Sequence, residues 1–214
     1  MTQYKSKSNN DFNDFIDENL IFYTFLSFLK TRKKLRKYFS TPIEIQKSES
    51  PDFIIKNKTE STGIEVCSGS PQNMHYVSAI CKEFPKNSII ELDPILFNKK
   101  NLTRDEVKNF IKVPNEKLSG YGWSGYSIEH SWSRNICNII EQKTEKLNNC
   151  FTIHNKNILL INGDFLIIRE KDIANDYLSK EIEKSNLKDN YDIVFDVIYI
   201  ISKVRNALLH KIST

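Results

Sequence analysis

The chain begins with a polar stretch and then settles into a helical rhythm. Between residues 11 and 38, Glu18, Phe22, Phe25 and Leu29 recur at i, i+4, i+7 and i+11, which places them on one face of a single helix. A carboxylate heads that apolar stripe. The segment ends in TRKKLRKY, whose cations suit the negative end of the helix dipole, and Thr41-Pro42 stops it. Three short β-type runs come next, IEIQ (43 to 46), DFIIK (52 to 56) and TGIEVC (62 to 67), separated by the polar stretches KSESP and NKTES. This spacing predicts a meander of antiparallel strands. In the third run Ile64 and Val66 point to one face while Glu65 and Cys67 point to the other.

The middle of the chain is less periodic. PQNMHYVSAICKEF (71 to 84) reads as a helix, IIEL (89 to 92) as a short strand, and LTRDEVKNFIK (102 to 112) as a small helix capped by Thr103. Residues 68 to 126, ending in SGYGWSGY, are expected to be an insertion. Clear order returns over 127 to 149, a helix whose stripe is Ile136, Ile140, Lys143 and Leu147. Lysine sits there where an apolar residue is expected. NILLI (157 to 161) reads as a buried strand, with Asn162-Gly163 as a turn leading into FLII (165 to 168). IANDYLSKEIEKS is helical, YDIVFDVIYIIS (191 to 202) is apolar enough for a central strand covered on both faces, and ALLHKI supplies an edge strand. The order predicts a single α/β domain over 1 to 214, a mixed β-sheet flanked by helices.

Composition narrows the class. With 39% hydrophobic and 27% charged residues, and only 6 Gly and 6 Pro, the 214-residue chain has the make-up of a soluble globular protein. No run approaches the roughly 20 apolar residues that span a bilayer, and the first residues lack the apolar core of a signal peptide, so a cytoplasmic location is expected. The four cysteines, Cys67, Cys81, Cys137 and Cys150, form no C-x-x-C pair and read as reduced, mostly buried thiols. A net charge of +4 permits a nucleic-acid partner without demanding one. The histidines lack zinc-hydrolase spacing, and there is no Walker loop, G-x-S-x-G or G-x-G-x-x-G, which removes the common nucleotide-binding and acyl-transfer classes.

What needs explaining is Asp52 at the mouth of one apolar run and Glu65 in the middle of the next. Carboxylates on neighbouring strands repel each other unless a cation lies between them. Mg²⁺ prefers oxygen ligands and commonly takes one or two carboxylates plus phosphate oxygens, so the pair suggests a metal-dependent phosphodiesterase.

Pro51-Asp52 followed in the next strand by Gly63-Ile64-Glu65-Val66-Cys67 resembles the PD-(D/E)xK nuclease superfamily, the restriction-endonuclease-like fold with its α-β-β-β-α-β core. The likeness is greatest to bacterial and phage members with a PDF…GIEV pattern and a later helix carrying I-x-x-K-x-x-K, here Ile140, Lys143 and Lys146. The resemblance implies a nuclease, most simply a DNA endonuclease using Mg²⁺ or Mn²⁺, with Asp52 and Glu65 as metal ligands and Glu18 as an added acidic group. It also implies a lysine two residues after the glutamate, where this chain has Cys67. Lys143, or else Lys146, is the candidate replacement. If neither reaches the metal, the chain is a nuclease scaffold that binds nucleic acid or protein without cleaving. A homodimer is expected if both strands of a duplex are cut.

Plainer readings stand beside these. Asp52 could cap a turn, Glu65 could be solvated on an open hairpin face, and Glu18 could answer the helix dipole. Lys143 and Lys146 could snorkel from the rim of an apolar stripe. The cations Lys33, Lys34, Arg36 and Lys37 are candidate phosphate contacts or an exposed helix end, and Trp123 a candidate base-stacking group or a core residue.

Overall fold

The computed structural model describes residues 9–31, 39, 42–70, 72–85, 91–92, 96, 99, 102–112, 125–147, 153–164, 168–185, 187, 194–202 and 207–213. The fold is mixed α/β, and the chain divides into two compact units. The first comprises Met1–Ser68, Thr144–Asp164 and Asp189–Thr214, and the second Gly69–Lys143 and Phe165–Lys188.

The first unit is built on a six-stranded sheet. Its strands are β1 (Glu44–Lys47), β2 (Phe53–Lys56), β3 (Ser61–Ser68), β6 (Lys156–Asn162), β7 (Val197–Ser202) and β8 (Ala207–Ser213), and they lie side by side in that order. The expected meander is present, since β1, β2 and β3 pair antiparallel; β3, β6 and β7 then run parallel, and β8 returns antiparallel. Helix α1 (Asn9–Thr31) covers one face. The stripe read from its sequence does this work: Phe22, Phe25 and Leu29, with Ile21, join Phe53, Ile55, Ile64, Val66, Ile158, Leu160, Val197, Tyr199 and Ile201 in one core. Phe22 stacks on Phe53 with ring centroids 4.0 Å apart, and Phe25 meets Tyr199 at 4.9 Å. Aromatic pairs of this kind add roughly 0.5–1.5 kcal/mol beyond their buried area.

One expected strand is shortened, and another lies mostly outside the described residues. The run from 191 to 202 does not extend throughout: β7 begins only at Val197, because Asp196 accepts the Asn157 amide on Oδ2 at 2.6 Å and donates its own amide to the Asn157 carbonyl at 2.9 Å. An aspartate that binds a neighbouring backbone in this way replaces a ladder step with a local turn. Val194 and Phe195 remain buried ahead of it. After β6 the chain turns as Asn162-Gly163 predicts, the Asp164 amide donating to Asn162 Oδ1 at 3.2 Å, but Ile168 lies in no strand; 165–167 are outside the described residues.

The second unit holds α2 (Gln72–Cys81), the short pair β4 (Glu91–Leu92) and β5 (Ile111–Lys112), α3 (Arg104–Lys108), α4 (Ser127–Leu147) through Lys143, and α5 (Lys171–Lys184). Val77, Ile80, Leu96 and Val107 form a small core of its own. Thr103 caps α3 with a complete capping box to Glu106, yet the helix stops at Lys108 and Ile111–Lys112 pair with β4, so the expected helix over 102–112 is a helix followed by a strand. The N-cap of α5, Glu170, makes no side-chain cap bond; Glu129 of α4, 1% exposed, supplies it by accepting the Arg169 and Glu170 amides at 2.8 and 3.1 Å. Among the described cysteines Cys137 is buried, its thiol pushed up to about 12 chiefly by that burial, while Cys67 and Cys81 are half-buried. No helix among the described residues is long and apolar enough to cross a membrane.

Candidate functional site

Asp52 stands on the bend that leads into β2. The β2–β3 ladder pairs Phe53 with Ile64, so one further step of the same register sets Asp52 across from Glu65. Facing positions of an antiparallel pair lie about 4.5–5.5 Å apart. The two carboxylates noted in the sequence are therefore neighbours in the first unit.

Local packing fixes the bend. A Cβ at Gly63 would come within 2.7 Å of His154 Cδ2 and 3.0 Å of Pro51 Cγ, so the bare glycine is what lets Pro51 lie against β3. Asp52, the next residue, then reaches β3 with its side chain: Oδ2 accepts the Val66 amide at 2.7 Å. Along β3, Ile64 and Val66 belong to the core beneath α1, which puts Glu65 on the opposite face, where it is 7% exposed. Glu65 is therefore not the solvated hairpin residue of the plainer reading.

Glu18 arrives from the middle of α1. Its Oε2 takes an ion pair from Lys47 Nζ at 2.6 Å. Lys47 is the last residue of β1, paired with Phe53 across the ladder, and its ammonium also lies 4.3 Å from the centre of the Phe53 ring. All these groups act on Asp52. Burial and the Glu65 charge push its carboxyl up to about 6 from 3.8, Glu18 adds to the rise, and the Val66 amide and Lys47 oppose it. Near neutral pH Asp52 thus sits close to its own titration, held there by a dry, negatively charged environment. A cation shared with Glu65 would favour the carboxylate further.

Among the described residues no group of three or more His, Cys, Asp or Glu side chains is gathered closely enough to hold a metal ion. Asp52 and Glu65 offer two carboxylates, the number a Mg²⁺ ion commonly draws from a protein when waters and phosphate oxygens fill its other positions. Cys67, at the position where the resemblance implies lysine, carries a half-buried thiol on the same face of β3 as Glu65.

The remaining sequence candidates fall as follows. Lys143 is half-buried on α4 and belongs to the second unit, while Lys146 is exposed and belongs to the first. Lys33, Lys34, Arg36, Lys37 and Trp123 lie outside the described residues. Sequence reasoning missed Gly63 and Lys47. Gly63 stood in the quoted motif without a role, and Lys47 was taken as part of the polar separator KSESP, although it continues the IEIQ strand by one residue. No protein-family model, no curated protein and no solved structure matches this chain.

Proposed function

We propose that this chain is a metal-dependent phosphodiesterase that cleaves nucleic acid, most simply a DNA endonuclease, on a restriction-endonuclease-like α-β-β-β-α-β core. The elements α1, β1, β2, β3, α4 and β6 follow one another in that order once the segment between β3 and α4 is set aside. The observation that carries the reading is the placing of Asp52, partly buried beside Glu65 with its Oδ2 on the Val66 amide, where burial first and the Glu65 charge second raise its carboxyl to about 6. Carboxyl groups perturbed by burial and a neighbouring like charge cluster at functional sites.

In this reading Asp52 and Glu65 hold the divalent ion and Glu18 orients a water for in-line attack. An ion held there would supply a more acidic water and an offset to charge on the phosphoryl oxygens. The water oxygen forms a new bond to phosphorus and the ester P–O bond breaks. The ester oxygen leaves with the electron pair and takes a proton from solvent, and the proton lost by the water passes to solvent. Lys146, which belongs to the same unit as Asp52 and Glu65, is the candidate to stabilise the charge that builds on the phosphate. Lys33, Lys34, Arg36 and Lys37 bind the phosphate backbone, Trp123 stacks on a base, and two copies of the chain cut a duplex.

The thiol of Cys67 favours a second reading, a nuclease scaffold that binds nucleic acid or protein without turnover, since a neutral thiol gives no charge to a phosphorane. Incubating plasmid and single-stranded DNA with the protein, with and without Mn²⁺, separates the two. Mn²⁺-dependent cleavage abolished in Asp52→Ala is the expected result. Binding without cleavage by the wild type supports the scaffold, and cleavage retained by Asp52→Ala rejects the site.

A further inference from the structure

The six-stranded sheet ends at β1, and among the described residues no strand pairs with its outer side. All four residues of the strand are exposed. The Ser48 amide donates to the Asp52 carbonyl at 2.8 Å, continuing the β1–β2 ladder, so even-numbered positions turn their peptide groups toward β2 while Ile43, Ile45 and Lys47 turn theirs outward. Open edges of this kind are normally guarded by a charged side chain, lysine above all. Lys47 does not serve as one. Its ammonium is turned over the sheet, 2.6 Å from Glu18 Oε2 and 4.3 Å from the centre of the Phe53 ring. Ile45, across the ladder from buried Ile55, lies on the face that α1 covers and is still 43% exposed. Tyr23 is 62% exposed, its ring 5.8 Å from that of Phe22. Round α1, the step from Phe25 over β7 to Phe22 over β2 leads on to Tyr23, so the tyrosine flanks the β1 edge. On the other face of β1 stand Glu44 and Gln46. Gln46 Oε1 accepts from Lys56 Nζ at 3.2 Å, which leaves its amide N–H groups to offer to a further acceptor.

We propose that β1 pairs with β1 of a second copy of this chain, antiparallel about a twofold axis through Ile45, so that the two sheets join into one. A twofold pairing of this kind is self-complementary and sets each residue opposite one on the same face of the sheet. Centred on Ile45, it puts Ile45 against its own copy with Tyr23 alongside, and Glu44 against the second copy's Gln46. The glutamine amide, its oxygen already taken by Lys56, donates to the facing carboxylate, and symmetry repeats the bond. That match of donor to acceptor selects a second copy as the occupant, and no like charges meet directly across the joint. Centring on Gln46 instead would set that residue against itself and Ile45 against Lys47, which loses both matches. All the residues involved belong to the first unit, and the inference is independent of the metal reading of Asp52 and Glu65.

The test is sedimentation equilibrium of wild type, Ile45→Lys and Glu44→Lys, with circular dichroism to confirm that each variant is folded. Wild type is expected to form a dimer whose share grows with protein concentration. Ile45→Lys brings two ammonium groups face to face and Glu44→Lys removes the acceptor for Gln46, so each should weaken association about tenfold or more. Mild oxidation supplies a readout by gain. Facing residues of a hydrogen-bonded pair have Cα atoms about 5.5 Å apart, within reach of a disulfide. Ile45→Cys should therefore cross-link two chains, whereas wild type and Gln46→Cys, whose copies stand off the axis, should not. A wild type that stays monomeric at every concentration overturns the proposal and leaves the edge to an extended segment of another protein. A dimer that survives Ile45→Lys unweakened, or that Ile45→Cys fails to cross-link, overturns it as well.

Discussion

Replacing Asp52 by asparagine should stabilise the protein at neutral pH and do nothing in acid. The carboxyl titrates at about 6 in the folded chain against 3.8 as its ordinary value, so the folded state binds the proton more tightly than the unfolded one. Linkage then fixes the sign: wild-type stability falls as pH rises from about 4 to about 6, and the loss is complete above that window. At about 1.4 kcal/mol for each tenfold change in proton affinity, the cost of ionising Asp52 is roughly 3 kcal/mol. Solvent screening at a partly exposed position reduces this to about 1–2 kcal/mol. Asparagine has nearly the same shape and keeps an oxygen for the Val66 amide, so the hydrogen bond survives the change. For a chain of this size 1 kcal/mol moves the melting temperature by about 2–4 °C, which sets the expected gain at roughly 2–8 °C at pH 7.5. Thermal melts of wild type and Asp52→Asn between pH 4 and pH 8 provide the assay. Saturating Mn²⁺ should close the gap from the wild-type side, because only the carboxylate gains from the ion. An asparagine variant less stable than wild type at pH 7.5, or one whose advantage is undiminished at pH 4, refutes the reasoning.

Other outcomes follow from the same packing. Phe25→Ala removes a fully buried ring from the core beneath α1 and should cost about 3–5 kcal/mol in urea unfolding. Gly63→Ala forces a methyl against His154 and Pro51; a loss of about 1–3 kcal/mol is expected, together with weaker Mn²⁺ stabilisation, because the bend that aims Asp52 must move. Glu129→Gln should destabilise by about 1–3 kcal/mol. Burial pushes the Glu129 carboxyl up, but the Glu170 and Arg169 amides prevail and hold it below the usual range, so the advantage of wild type is present above the ordinary glutamate range and disappears as pH falls through the lowered value. Stability curves of the two forms from pH 3 to pH 7 should therefore converge in acid.

Helix α1 and the meander were legible in the sequence because each obeys one clean period: Phe22, Phe25 and Leu29 repeat at helical spacing, and Ile64 and Val66 alternate with Glu65 and Cys67. The end of β7 nearest Asp196 was not legible. YDIVFD is as apolar as a strand, yet 194–196 lie outside β7, and the bond that Asp196 takes from the Asn157 amide comes from a residue 39 positions away. The 102–112 helix failed for a similar reason, since Ile111 and Lys112 find a strand partner at Glu91–Leu92 that local propensity cannot reveal. At the site, the adjacency of Asp52 and Glu65 was readable from two strand runs and a short separator. Lys47 was not, because a lysine among KSES looks like loop until β1 is seen to extend through it and place it opposite Phe53. Gly63 shows its use only once Pro51 and His154 are seen on either side of it.

The most direct measurement is calorimetric titration of Mn²⁺ into wild type and Glu65→Gln at neutral pH. The account predicts one ion per wild-type chain and an affinity at least tenfold lower once Glu65 has lost its charge. Equal affinity in the two proteins, or no heat of binding in either, contradicts it.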